Sequence, residues 1–380
     1  MNFQQEFEKG QIGKNKGIPF GKGLENLTAA INGLQRGMIY GIAAAPKVGK
    51  TTLADAAFVL GPYLYILEHN IEVDWIYFSF EIDRISKEFD FASFFLYYDY
   101  QIGEVNLPEG VTIKGESKIE ISSDYLRGRI QDDNNNIIKV PDYIIEKIKL
   151  IYRNRIVPLF GEYDLEGNQI SYGKITFIED KDNPTGLRNF MFDYARRNGN
   201  FLTTSYYSEK EKKTKERIVG YKPNNPDKVT ICVTDHLRKV KLERGFTKKE
   251  TIDKWIEYQV EMRNWCGFTF VDIIHLNRSM ADIQRSKFMG DLIYPNSDDI
   301  KDTGNLAEEA NHLFTMFNPN DDKYNLKKHF GKEIKTLKNE VLYPLMRTVH
   351  LVDSRHTWFP QHFRYNMKGN VKSFEMLNIE

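Results

Sequence analysis

Apolar residues fall along this chain in short runs separated by segments of helical period. Gly37–Ala43 is such a run, and the helix-compatible stretch Thr51–Leu60 follows it. Val73–Phe80 (V-D-W-I-Y-F-S-F) is aromatic and β-branched, which predicts a buried strand. Lys174–Ile178, Val229–Thr234, Phe268–His275 and His312–Phe317 read the same way. Helices are predicted between them. Leu24, Leu27, Ala30, Ile31 and Leu34 recur at helical spacing, and Thr251–Trp265 sets Ile252, Trp255, Ile256, Gln259 and Val260 largely along one side. Gly186–Arg197 follows Asn183-Pro184-Thr185 and ends in basic residues, as a helix carboxyl end favours. Repeated strands with helical crossovers predict an α/β fold built on a mainly parallel sheet flanked by helices. Arg347–Leu377 reads as closing strands, and no internal repeat is visible.

The pattern changes between residues 95 and 173. Phe89–Tyr100 is strongly aromatic and reads as core or interface packing. Beyond it, short strand-like runs are broken by turn clusters at Asp132–Asn136 and Leu165–Asn168, the second an E-G-N hairpin signal. Tyr143–Arg155 carries Ile144, Ile145, Ile148, Ile151 and Tyr152 at helical spacing. The predicted organisation is an arm at 1–16, a main domain at 17–94 and 174–380, and a mixed α/β insertion at 95–173. Ser208–Arg217 is dense in charge and reads as a solvated face or a mobile loop.

Composition narrows the classes without choosing among them. The 380 residues are 41% hydrophobic, with no run of eighteen apolar residues and no apolar leader, so neither a membrane span nor a signal peptide is expected. Lys+Arg and Asp+Glu are both 53, so any contact with nucleic acid must come from a local patch. Cys232 and Cys266 lie in apolar surroundings without C-x-x-C spacing and read as buried thiols in a reducing cytoplasm.

The chemistry concentrates at Gly41–Leu53, G-I-A-A-A-P-K-V-G-K-T-T-L. Strand, loop and helix in that order are the context a phosphate-binding P-loop requires. Ala45, Pro46, Lys47, Val48, Gly49, Lys50, Thr51 and Thr52 would cradle a nucleotide. Gly49 lets the backbone approach a phosphate, and loop amides with the helix amino end point at the anion. Lys50 would meet the β- and γ-phosphates, and the Thr51 hydroxyl would hold Mg²⁺. Ala44 stands where such a loop usually begins with glycine. Val229–Thr234 runs into Asp235, an acid at a strand end that could support Mg²⁺ beside Thr51. Glu81 ends the strand after the P-loop helix. It is either a water-polarising base or an exposed strand-end acid. His275, at a third strand end, is either a γ-phosphate sensor or a hydrogen-bonded strand-end histidine.

These residues together resemble the C-terminal motor domain of the DnaB-type replicative helicases, within the RecA-like ATPases. Ala44–Thr52 (A-A-P-K-V-G-K-T-T) is close to that family's A-R-P-x-M-G-K-T-T, which also accounts for Ala44. Phe78–Ile82 (F-S-F-E-I) is similar to its F-S-L-E-M, Thr234–Leu237 (T-D-H-L) to its I-D-Y-L, and His275–Ser279 (H-L-N-R-S) to its Q-L-N-R-S. Asn296–Asn311 and the entry segment Gly17–Gly37 are also similar. The likeness covers most of 17–90 and 174–377 and matches 95–173 poorly.

The resemblance implies a phage-borne, ATP- and Mg²⁺-dependent DNA helicase working as a homo-hexameric ring in the host cytoplasm. It marks Glu81 as the catalytic glutamate, Asp235 as metal support, and His275 as the replacement for a sensor glutamine. Arg355, in Asp353–Thr357, matches an arginine finger offered to a neighbour's site, although Asp353 stands where the family has lysine. Single-stranded DNA would meet the loops after Asp235 and His275. The first carries Arg238, Lys239, Lys241, Arg244, Lys248 and Lys249, and the second Arg278, Arg285 and Lys287. A primase or helicase loader is the further partner implied, and only Met1–Lys16 precedes the motor, where the family carries an N-terminal domain. Two other readings stay open: an ATP-switched recombination or single-strand-binding mediator, and an assembly factor on a degenerate ATPase fold.

Overall fold

A computed structural model describes residues 4, 7, 8, 11, 16–164, 166–180, 182–210, 212–277, 288–300 and 305–378. The strands in chain order are β1 (Ile39–Ala44), β2 (Val73–Ser79), β3 (Glu104–Asn106), β4 (Lys118–Glu120), β5 (Gly161–Tyr163), β6 (Gln169–Tyr172), β7 (Ile175–Ile178), β8 (Gly199–Ser208) and β9 (Lys213–Pro223). They continue with β10 (Val229–Asp235), β11 (Thr269–His275), β12 (His312–Phe317), β13 (Lys328–His329), β14 (Lys332–Glu333), β15 (Met346–Ser354), β16 (Gln361–Lys368) and β17 (Ser373–Met376). Among the described residues, nine of these form one sheet in the order β17-β16-β15-β12-β1-β11-β10-β2-β7. From β12 to β7 every pairing is parallel, and the closing strands β15, β16 and β17 add on antiparallel. The predicted α/β fold with its mainly parallel sheet is the fold observed.

The apolar runs follow from burial on both faces. On one face Tyr40, Ile42, Trp75, Tyr77, Ile231, Val233, Val271, Ile273 and Phe314 pack on the P-loop helix and helix Arg84–Tyr100. On the other, Ile39, Ala43, Ile76, Phe78, Cys232, Phe270, Ile274 and Leu313 meet helices Pro184–Asn198 and Lys248–Cys266. Successive residues alternate between the two cores, as the strand's two-residue period requires.

Helix ends carry their signals. Asn183 caps Pro184–Asn198 by accepting from Gly186 N at 2.9 Å. Thr247 and Glu250 form a reciprocal capping box on Lys248–Cys266, which Gly267 closes at φ 67°. Both cysteines are free and buried, and burial pushes the Cys266 thiol up to about 12.

Helix Arg84–Tyr100 runs unbroken through residue 95. The apolar residues beyond it, including Val105, Ile119, Ile121, Tyr125, Ile144, Ile151, Leu159 and Phe160, join the same core as the P-loop helix. The predicted E-G-N hairpin is β5–β6, and the predicted 143–155 helix spans Asp142–Ile151 with a π-helical turn at Tyr152–Ile156. Of the two readings of Ser208–Arg217 the solvated face holds and the mobile loop does not: the segment belongs to a long hairpin, β8–β9, paired from Gly199↔Pro223 to Ser208↔Lys213. Its residues are largely exposed, so cross-strand bonds rather than a buried face hold it. No helix among the described residues is long and apolar enough to cross a membrane.

Candidate nucleotide site

The carboxyl ends of β1, β10, β2 and β11 lie side by side, and the candidate residues extend from them. The P-loop leaves β1 at Ala44, which is still in the ladder, opposite His275 on one side and Met316 on the other. Ala44 is not among the residues at positive φ, so alanine meets no backbone penalty there. Gly49 sits at φ 116°, and a Cβ on it would come within 2.5 Å of Met367 Sδ. The backbone conformation disfavours a side chain at that position, and the Met367 thioether would have to move aside for one. The helix begins at Lys50, and Leu53 N donates to Gly49 O at 2.9 Å. Arg347, on β15, braces the loop by donating from Nε to Val48 O at 3.3 Å.

Lys50 is buried, which lowers its pKa, while the charges of Asp235 and Glu81 act to raise it. Thr51 Oγ1 donates to Asp235 Oδ1 at 3.3 Å. Asp235 is buried at the end of β10, and its pKa is raised, chiefly by that burial. Lys87 offsets part of the rise, and Asp55 and Glu81 add to it. Glu81 follows β2 and keeps 37% of its side chain exposed. Its partial burial favours the acid, yet the net shift is downward through His236, Lys239 and Lys50. Burial holds the His236 imidazole down to about 4. At neutral pH the two lysines therefore supply the charge that holds Glu81 down.

His236 Nε2 lies 3.2 Å from Glu81 Oε1, and Lys239 Nζ lies 3.5 Å from the same oxygen. His275, at the end of β11, packs its ring edge-on to His236 with 4.5 Å between centroids. Burial and then Lys50 lower its pKa, so this imidazole is neutral at physiological pH. Its Nδ1 is buried and has no hydrogen-bond partner among the described residues.

Lys50, Thr51, Glu81, Asp235 and His275 thus share one sheet edge. Arg355 does not join them. It follows β15, whose Ser354 pairs with His312 at the start of β12, so it stands at the opposite edge, four strand positions and roughly 13 Å away by strand rise from the level of Met316. There its guanidinium donates to Glu308 O and lies 3.8 Å from Glu309 Oε2. Of the basic residues after β10, Arg244 is exposed, whereas Lys248 donates to Val240 O and ties the loop to the helix start. Arg278, Arg285 and Lys287 lie outside the described residues.

Sequence reasoning passed over His236, Arg347 and a buried ion network beneath the P-loop helix. In that network Asp55 takes Lys87 Nζ at 3.0 Å and Lys372 Nζ at 2.9 Å, and Tyr77 Oη donates to it at 2.8 Å. Two signals were present. Asp55 is the one charge in Thr51–Leu67, and Lys87 falls four residues before Phe91 and eight before Phe95, in phase with the buried stripe.

Solved structures share this architecture. One is an ATPase domain, 13% identical, covering 99% of this chain and 97% of that one at a TM-score of 0.62. Another is a DnaB-like replicative helicase, described with its interactions with primase; at 13% identity it covers 99% of this chain and 66% of that one, with a TM-score of 0.58. No family model matches the sequence, and no curated protein matches it. At this identity the likeness establishes the fold alone, a mainly parallel sheet flanked by helices.

Proposed function

We propose that this chain is the motor of a DnaB-like DNA helicase, which hydrolyses ATP between the subunits of a homo-hexameric ring and translocates on single-stranded DNA. The observation that carries the reading is the convergence of Lys50, Thr51, Asp235 and Glu81 at one sheet edge, in a fold shared with helicase ATPase domains.

The loop amides and the helix amino end at Lys50 receive phosphate oxygens, and Lys50 meets the β- and γ-phosphates. Thr51 and Asp235 fit a hard, oxygen-ligated cation. Asp235 is buried, and Thr51 is its one side-chain hydrogen-bond partner among the described residues, so a carboxylate and a hydroxyl oxygen stand side by side as hard ligands. Mg²⁺ held there would offset the charge of the phosphates. Glu81 orients and deprotonates the attacking water, and neutral His275 offers a ring nitrogen toward the γ-phosphate. Arg355, turned away from its own P-loop, would complete a neighbour's site. Arg244 is better placed than Lys248 to meet a DNA phosphate, because the Lys248 ammonium is spent on Val240. Arg278, Arg285 and Lys287 complete the basic set by sequence. A primase or a helicase loader is the partner class this reading implies.

The test is ATP turnover with and without single-stranded DNA, alongside unwinding of forked DNA. Lys50→Ala is expected to abolish turnover, with an unchanged thermal melt. Unchanged turnover would remove the P-loop assignment. DNA-stimulated turnover with strand pairing but no unwinding would favour the mediator reading. No stimulation at all would favour the assembly factor.

A further inference from the structure

We propose that the outward face of the β8–β9 hairpin docks single-stranded nucleic acid. Lys213, Lys215, Arg217 and Lys222 hold its phosphates, and Tyr206 is a platform for a base. The hairpin is rooted at one end. Phe201, Ile218 and Tyr221 pack against the core shared with helices Pro184–Asn198 and Lys248–Cys266. Phe201 stacks on Phe192 with 5.0 Å between centroids, and Tyr221 Oη donates to Ala195 O at 2.8 Å. Beyond Ile218 the ladder continues from Thr204↔Arg217 to Ser208↔Lys213 through residues that are mostly exposed.

The ladder sorts the side chains. Residues directly opposite one another share a face, and successive residues alternate between faces. Phe201, Thr203, Ser205 and Tyr207 therefore belong to the face rooted on the helices, with Ile218 opposite Thr203, Glu216 opposite Ser205 and Thr214 opposite Tyr207. The outer face carries Asn200 opposite Lys222, Thr204 opposite Arg217, Tyr206 opposite Lys215 and Ser208 opposite Lys213. Glu216, the single acid within the two strands, falls on the helix side, and all four cations of the strands fall on the outer side. Solubility does not require that sorting, since lysines that guard an exposed strand serve from either face. The outer face is a row of cations on β9 beside a row of hydroxyls and one ring on β8. From Lys213 to Arg217 the cations recur at every second residue, roughly 7 Å apart. Phosphates running along β9 meet one charge after another, and bases turned toward β8 meet Tyr206. That ring is exposed, and the Arg217 guanidinium lies 5.8 Å from its centroid. Charge on one side and a stacking ring on the other fit a single strand, whose bases are free to stack on protein. The chain as a whole balances 53 cations against 53 acids, so attraction to a polyanion needs a local strip of this kind. The hairpin is separate from the loops after β10 and β11, and its role does not depend on the nucleotide site.

The experiment measures binding of the full chain, without nucleotide, to a labelled oligothymidine and to a duplex of equal length over a salt series. Replacing Lys213, Lys215 and Arg217 together by Gln should weaken oligothymidine binding about 10–100-fold near 0.1 M salt and reduce the salt slope by about 2. Tyr206→Ala should weaken it at least about fivefold, and Tyr206→Phe should restore it. Tyr207→Ala, on the helix-side face, should stay within about twofold. A strand carrying iodouracil should photocrosslink to the peptide that bears Tyr206. Unchanged affinity and slope in the triple variant, equal losses from Tyr206→Ala and Tyr207→Ala, or an equal loss on duplex would each overturn the proposal. So would smaller assemblies in native mass spectrometry with strand binding intact, which would give this face to a second copy of the chain. Should the triple variant melt early, the two Tyr206 variants and the crosslink decide. A parent chain that binds the strand but neither binds nor hydrolyses ATP would remove the ATPase reading and leave this test intact.

Discussion

Asp272 lies in the middle of β11, fully buried, where Gln259 Nε2 donates to its Oδ1 at 2.9 Å and its Oδ2 has no hydrogen-bond partner among the described residues. Burial pushes its carboxyl up to about 7, although hydrogen bonds from Gln259 and Thr234 act against the rise. The folded state therefore keeps a proton that the unfolded chain releases near the ordinary value of 3.8. With the folded pKa above the unfolded one, this acid leaves stability greatest below about pH 4, erodes it as pH rises toward 7, and adds no slope beyond. Asp272→Asn keeps the shape and removes the ionisation. We expect the variant to be more stable than the parent at pH 8, on the order of 2–4 kcal/mol, and to match it near pH 4. Urea unfolding at the two pH values checks this, and an equal difference at both would refute the assignment.

Between elements, the Asp55 network joins the P-loop helix to helix Arg84–Tyr100 and to the turn before β17. Burial favours the Asp55 acid, but Lys372 and Lys87 outweigh it and hold its pKa below 3.8. This depressed carboxyl contributes stability above pH 4, and that stability is lost as pH falls through the folded-state value. Asp55→Asn would leave the buried Lys87 ammonium without its paired carboxylate and Lys372 with Asp90 alone. The expected loss is roughly 3–5 kcal/mol in urea unfolding at pH 7, and a loss below about 1 kcal/mol would count against the network.

The same elements show what could be read in advance. The strands of the parallel sheet were legible because each is apolar on both faces, and Lys50, Glu81, Asp235 and His275 were legible because each ends or follows such a strand. The β8–β9 hairpin was not, since its charged, exposed residues have no buried face to impose a period. His236 was hidden for a different reason. The carboxylate its ring approaches, Glu81, comes from another strand and is not local in sequence. The core role of residues 104–172 was also hidden, because its short apolar runs find their partners on Tyr63, Phe91 and Phe95.

For the whole molecule, the argument turns on the two edges of the sheet. Lys50 and Glu81 are at the carboxyl edge and Arg355 is at the amino edge, so one chain cannot bring its own Arg355 to its own nucleotide. The proposed head-to-tail ring would remove that difficulty, because each subunit would offer its amino-edge hairpin to the next one's P-loop. Arg355→Ala should therefore cut turnover strongly and leave nucleotide affinity unchanged, and Glu81→Ala should do the same from the opposite side of the interface. Mixed in equal amounts, the two variants generate interfaces in which the Arg355→Ala subunit supplies Glu81 and the Glu81→Ala subunit supplies Arg355. In random rings about a quarter of interfaces are intact, so independent sites would recover about a quarter of parental turnover. A smaller recovery would mean that sites fire in sequence, so one dead interface stalls its neighbours. No recovery, in rings shown by native mass spectrometry to contain both variants, would place Arg355 outside the neighbour's site.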